Sequence, residues 1–170
     1  KRYIDIGSGC GFPGIAYAIT HPHSEIFLID SSRKKTNALK KIVNEMELKN
    51  TIHVIYDRIE NITRKQDYRN KFDIGTARAV ANCSTVAEYL IPSLNKSGLG
   101  ILYCGKWSKI DQKQLDNSLR ILNGSINKIL TKFLPANKGE RNIIFIKPIG
   151  ECPKIYPRKI GTPSKHPLGY

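Results

Sequence analysis

The chain has 170 residues, 40% hydrophobic and 25% charged, with 28 Lys and Arg against 14 Asp and Glu for a formal net charge of +14. That length suits one domain with a sizeable core, and the composition excludes a disordered or collagen-like chain. No apolar run approaches the roughly 18 residues needed to span a bilayer, which excludes a transmembrane helix and leads us to expect a cytoplasmic protein with no membrane partner.

In chain order, Arg2 to Ile6 reads as a short apolar strand that runs into the glycine loop Gly7-Ser8-Gly9-Cys10-Gly11-Phe12-Pro13-Gly14. Helical spacing resumes at Ile15, with Pro13 placed to open the first turn, where a missing N–H costs nothing. The first residue is Lys1 rather than Met and the chain begins on a strand, so a segment upstream of it is expected. Glu25 to Asp30 is a second buried strand. Ser31 or Ser32 can cap a helix reaching about Leu48, with Leu39, Ile42, Val43 and Met46 as its apolar stripe and a surface carrying Arg33, Lys34, Lys35, Lys40, Lys41 and Lys49. Thr51 to Tyr56 and Phe72 to Thr76 read as the third and fourth strands. A helix over about Ser84 to Leu94, a fifth strand from Gly100 to Cys104 and a helix from Asp111 to Leu122 follow. Ile126 to Leu134 and Asn142 to Lys147 are two last strands with no helix between them.

Strands alternating with helices argue an α/β fold with a mostly parallel, doubly wound sheet, and the last two strands an antiparallel edge hairpin. This catalytic domain is expected to occupy residues 1–147. From Pro148 the composition changes to Pro153, Pro157, Pro163 and Pro167 among Lys154, Arg158, Lys159 and Lys165, which reads as an extended basic tail over 148–170.

Chemistry concentrates first at the glycine loop. Glycines between a strand and a helix allow close backbone approach, and the helix start offers free N–H groups to a nucleotide-like ligand. Gly9 to Gly14 satisfies G-x-G-x-x-G, and Asp30, about 20 residues on, is placed to accept from ribose hydroxyls. On those residues alone an NAD-dependent oxidoreductase fits. Asp5, two residues before the first glycine, tilts the reading toward a cationic amino-acid-bearing ligand, S-adenosyl-L-methionine (SAM). Asp57-Arg58-Ile59-Glu60 follows the third strand and faces the same crevice; it is either an adenine-holding turn or a solvated charged one.

Arg78, after the fourth strand, is placed where it could contact the ligand or a target base. No [Asn/Asp]-Pro-Pro-aromatic run and no Pro-Cys nucleophile is present. A guanine N7 has an in-plane lone pair and no proton to lose, so positioning beside a methyl donor can suffice without a general base. The cation excess favours nucleic acid, because Lys and Arg neutralise phosphates and release counterions. The tail could track a phosphate backbone or stay solvated. His21, His23, His53 and His166 lack companions at metal spacing, so no metal is expected, and Trp107 reads as packing. Cys10, Cys83, Cys104 and Cys152 form no C-x-x-C pair and read as reduced thiols.

Asp5-Ile6-Gly7-Ser8-Gly9-Cys10-Gly11-Phe12-Pro13-Gly14, Leu28-Ile29-Asp30-Ser31, Asp57-Arg58-Ile59-Glu60, Thr76-Ala77-Arg78-Ala79 and the Tyr-Pro-Arg-Lys-x-Gly-Thr-Pro run from Tyr156 together resemble the bacterial RsmG/GidB family. The resemblance spans residues 5–168. It implies a class I SAM-dependent methyltransferase (Rossmann-like) fold that methylates guanine N7 in 16S rRNA, with the rRNA or the 30S particle as partner and a monomer expected. It implies SAM held by Asp5, Gly7, Gly9, Gly11, Phe12, Asp30, Ser31, Ser32, Ile59, Glu60 and Arg78, with Arg78 also catalytic. Arg58, Arg158, Lys159 and Lys165 are then the RNA-binding candidates. The family usually carries a helical segment before the first strand, and such a segment is expected upstream of Lys1. A non-catalytic rRNA-binding assembly factor is the alternative of a different class.

Overall fold

A computed structural model describes residues 1–48, 51–136 and 138–170. Five strands run parallel: β1 (Arg2–Ile6), β2 (Glu25–Asp30), β3 (Ile52–Tyr56), β4 (Phe72–Arg78) and β5 (Leu94–Cys104). Two more, β6 (Gly124–Phe133) and β7 (Glu140–Pro148), form the antiparallel edge, giving one seven-stranded sheet in the order β3-β2-β1-β4-β5-β7-β6. The helices are α1 (Gly14–Thr20), α2 (Arg33–Glu45), α3 (Ile59–Ile62), α4 (Cys83–Leu90), α5 (Lys109–Ile121) and α6 (Thr162–Lys165).

The central strands are apolar throughout because both faces are covered. Along β2, Ile26 and Leu28 join Tyr3, Ile15, Leu39 and Val43 on the α1/α2 side. Phe27 and Ile29 join Ile4, Ile6, Phe72, Leu90, Leu115 and Ile146 on the other side. The strand order reverses between β1 and β4, so loops diverge at their carboxyl ends and leave a crevice there.

Several expected boundaries shift for visible reasons. Helix α2 stops at Glu45 rather than near Leu48 because Glu47 turns left-handed at φ 57°, and Ile42 and Met46 of the expected stripe stay exposed. Lys49 lies outside the described residues. Asn82 caps α4 by accepting from the Thr85 N–H, and the helix ends at Leu90, before Pro92. Strand β5 starts at Leu94, six residues earlier than expected, passing through Lys96, Ser97 and Gly98 with a register shift against β4 between Phe72 and Ile74.

The larger correction concerns residues 148–170. Rather than an extended tail, they form a folded strap across α3, α4 and α5. The Arg69 guanidinium donates to the carbonyls of Cys152, Pro153 and Tyr156, and Arg64 donates to that of Pro157. Further along, the Thr85 hydroxyl donates to the Pro163 carbonyl and the Ser118 hydroxyl to that of Leu168. The strap also contains α6, a short helix entered through Gly161 at φ 79°.

Candidate functional site

The glycine loop is built on β1 and anchored by β2. The Gly7 and Ser8 N–H groups both donate to the Ile29 carbonyl, at 2.8 and 3.0 Å. Gly7 sits at φ 68°, and a Cβ there would meet Val80 at 2.6 Å, so a side chain is excluded by both backbone and neighbour. The Gly9 N–H donates to Asp30 Oδ2 at 2.9 Å and the Ser32 N–H to Asp30 Oδ1 at 2.8 Å. Each carboxylate oxygen keeps a further acceptor position.

Asp5 lies beneath the loop and is 1% exposed. Its Oδ2 accepts from the Gly14 N–H at 3.1 Å and its Oδ1 from the Thr76 hydroxyl at 2.7 Å, and Thr76 also meets the Tyr3 hydroxyl at 2.7 Å. Burial pushes the Asp5 carboxyl up to about 6, against the pull of these two hydrogen bonds and of Arg78. Both oxygens of the carboxylate expected beside a cationic ligand accept from the protein, and one of them fixes the start of α1 beneath the glycine loop.

A crevice of about 250 Å³ opens at this switch point, walled by Gly7, Asp30, Ser31, Arg58, Ile59 and Ala79, with Tyr89 of α4 and Ser164 of the strap at its side. It gathers five of the sequence candidates: Gly7, Asp30, Ser31, Ile59 and Arg58. Gly9 serves by holding Asp30, Ser32 by capping α2, and Gly11 by lying against Leu39 of that helix. Phe12 is exposed and does not wall the crevice.

Glu60 points inward and is 1% exposed. It accepts from Arg58, from the Tyr89 hydroxyl and from the Gly161 N–H of the strap. Burial works against ionisation, yet Arg58 and the Gly161 N–H hold this carboxyl below its ordinary range. Its acceptors are therefore spent inside the protein. Among the RNA-binding candidates, Arg158 is committed likewise: its guanidinium and backbone N–H donate to fully buried Glu88 at 2.7–3.1 Å. Lys159 and Lys165 remain exposed and outside any ion pair among the described residues.

Arg78 lines a different space. A cavity of about 780 Å³ adjoins the crevice at the ends of β4, β5 and β7, walled by Arg78, Tyr103, Lys106, Trp107, Lys132, Arg141 and the thiols Cys83 and Cys104. Ala79 walls both spaces and sits at φ 55°, a left-handed conformation uncommon for a residue with a Cβ. Lys106, Lys132 and Arg141 escape sequence reasoning because, although Lys132 and Arg141 pair across the β6/β7 hairpin, only the pairing of β7 with β5 brings Lys106, in the loop after β5, beside them. Asn142 builds this wall: its Nδ2 donates to the Gly105 carbonyl and its Oδ1 accepts from Thr131, each at 2.7 Å.

Among the described residues, no group of His, Cys, Asp or Glu is arranged to hold a metal ion, and no helix is long and apolar enough to cross a membrane.

The sheet order, with a glycine loop after β1 and an acidic residue ending β2, defines a class I methyltransferase fold. Solved structures agree at the level of the fold. The B. subtilis M1A22 tRNA methyltransferase TrmK superposes with TM-score 0.67 at 12% identity, over 88% of this chain and 60% of that one. M. capricolum TrmK, in complex with S-adenosyl-homocysteine, superposes with TM-score 0.66 at 18% identity, over 89% of this chain and 63% of that one. The chain thus spans under two thirds of either structure.

The GidB family, rRNA small subunit methyltransferase G, matches residues 1–144. Curated proteins named ribosomal RNA small subunit methyltransferase G are similar over 99% of this chain: 60% identical for Prochlorococcus marinus strain MIT 9312, across 71% of that protein, and 50% for strain NATL1A, across 68%. The chain belongs to the GidB family of rRNA small subunit methyltransferases.

Proposed function

We propose that the chain transfers the methyl group of SAM to N7 of a guanine in 16S rRNA, as free RNA or within the 30S particle. Family membership decides between the two readings of the glycine loop in favour of a methyl donor. The crevice residues fit that donor. Gly7 leaves its floor open, and Asp30, held by two backbone N–H groups, retains lone pairs for ribose hydroxyls. Ser31 and Ile59 flank the space an adenosine would take. Bound there, SAM supplies a methyl group on a sulfonium.

The observation that carries the choice of N7 is the makeup of the neighbouring cavity, which is rich in cations and poor in proton acceptors. Its carboxylate, Asp111, accepts from the Ser108 N–H and hydroxyl in the capping box of α5. Contact with Cys104 and burial push the Cys83 thiol far above its ordinary range; the same contact lowers Cys104, whose sulfur is engaged by Cys83 at 2.7 Å, and burial with the negative Asp5 raises the Tyr103 phenol. An N7 acceptor needs no base, because its lone pair forms the new bond while the sulfur takes back the bonding pair, leaving a cationic guanine. Ala79, at the joint between the two spaces, and Arg78, beside it in the cavity, orient that encounter.

Incubating the protein with labelled SAM and unmodified 30S subunits or 16S rRNA, then cleaving with borohydride and aniline, should give one N7-specific cut. Label incorporated without such a cut would move the reaction to another atom. Salt-dependent RNA binding with no incorporation would favour the assembly factor.

A further inference from the structure

We infer that Cys83 and Cys104 are a reversible redox pair: a peroxide joins their sulfurs into a disulfide in the cavity wall, a dithiol reopens it, and the closed form slows methyl transfer. The pairing itself stands apart from the proposed function; its effect on rate rests on that reading.

The two thiols come from different elements, Cys83 opening α4 and Cys104 ending β5, yet their sulfurs lie 2.7 Å apart. A bonded pair stands at about 2.05 Å, so closure asks for an approach of less than about 1 Å. Both are half-buried and both wall the cavity of about 780 Å³, where a small oxidant reaches them. Cys10 and Cys152 make no such contact among the described residues; Cys10 is exposed, and burial pushes the Cys152 thiol up to about 11. Within the pair, contact with Cys83 holds the Cys104 thiol below its ordinary range while Cys83 keeps its proton, so Cys104 supplies the thiolate.

The Cys104 thiolate attacks one oxygen of hydrogen peroxide. An S–O bond forms, the O–O bond breaks, and the departing hydroxide takes up the proton that Cys104 released. The Cys83 sulfur then attacks the sulfenic sulfur: the S–S bond forms, the S–O bond breaks, and the hydroxyl leaves as water with the Cys83 proton. Two electrons pass from the thiols to the peroxide, and dithiothreitol returns two electrons and two protons.

Closure has a structural consequence beside the donor. Arg78 at the end of β4 already pairs with Tyr103 of β5, so a bond between the next residue of β5 and Cys83 would pin both ends of the segment 79–82 to one strand. That segment carries Ala79, which walls both spaces, and Val80, a methyl of which lies 2.6 Å from where a Gly7 Cβ would stand. Fixing it removes the give that positioning an acceptor against the donor requires.

The full chain is treated with a slight molar excess of hydrogen peroxide, alkylated and digested with trypsin without reduction. Peptide 79–96 should appear joined to 97–106, two hydrogens lighter than their sum and released by dithiothreitol. The oxidised chain should methylate 16S rRNA about tenfold more slowly, with full recovery in dithiothreitol. In Cys104→Ser the link cannot form, and the same cycle should leave that variant's rate where it began. The inference is overturned if the two peptides stay unlinked, if the link forms and the rate holds, or if Cys104→Ser loses rate in the same proportion. A reduced chain that transfers no methyl group would instead overturn the proposed function, and the peptide link is read without it. The wild-type cycle needs no variant, so it decides the matter even if Cys104→Ser fails to fold.

Discussion

Two buried carboxylates hold the strap: Glu60, expected from the sequence at the ligand, and Glu88, which the sequence reading passed over. Each accepts from the strap, Glu60 from the Gly161 N–H and Glu88 from the Arg158 guanidinium and backbone. Removing one member of a buried pair strands the other, so Glu88→Ala is expected to cost about 3 kcal/mol, read as a lower urea midpoint. Glu88→Leu combined with Arg158→Leu should recover much of it.

Asp5 gives a second test, with an opposite pH sense from the usual carboxylate. Its folded-state value of about 6 lies above the unfolded value of 3.8, so the native state holds this proton more tightly. The stability it contributes is present below pH 4 and is lost as pH rises toward 6, by about 3 kcal/mol in all. Asp5→Asn should remove that slope, so the melting temperature of the wild type should rise relative to that of the variant as pH falls from 7 to 4. The glycine loop, Asp30 and Arg78 could be singled out because their types and spacing are local, and Gly7, Asp30 and Arg78 do wall the crevice and the cavity beside it. That Asp5 and Glu60 face inward was not, since inward and outward carboxylates look alike in a sequence.

At the scale of elements, alternation of apolar strands and amphipathic helices exposed the parallel sheet, and an unbroken pair of late strands exposed its antiparallel edge. The strap was misread because prolines and lysines forbid a regular element without forbidding packing. Its order comes from partners 50–101 residues away in sequence, such as Ser118, Arg69, Glu88 and Glu60. Ending the chain at Pro148 would uncover Glu60, Glu88 and Thr85 at once. That truncation should lower the melting temperature by at least about 10 °C and broaden the transition, whereas a merely solvated tail would leave both unchanged.

For the whole molecule, the net charge of +14 pointed to a polyanion but not to a place on the surface. Folding sorts those cations. Arg58, Arg64, Arg69 and Arg158 are absorbed into internal bonds, while Lys106, Lys132 and Arg141 gather around one cavity. Three phosphate contacts there would give a log–log salt slope of about −2 for single-stranded RNA, measurable by filter binding between 50 and 200 mM salt. Ala79 gives this arrangement a thermodynamic consequence. One strained residue walls both spaces, so a ligand that shifts it in one space reshapes the other. The resulting linkage is reciprocal: whatever factor the methyl donor adds to RNA affinity, RNA adds to donor affinity.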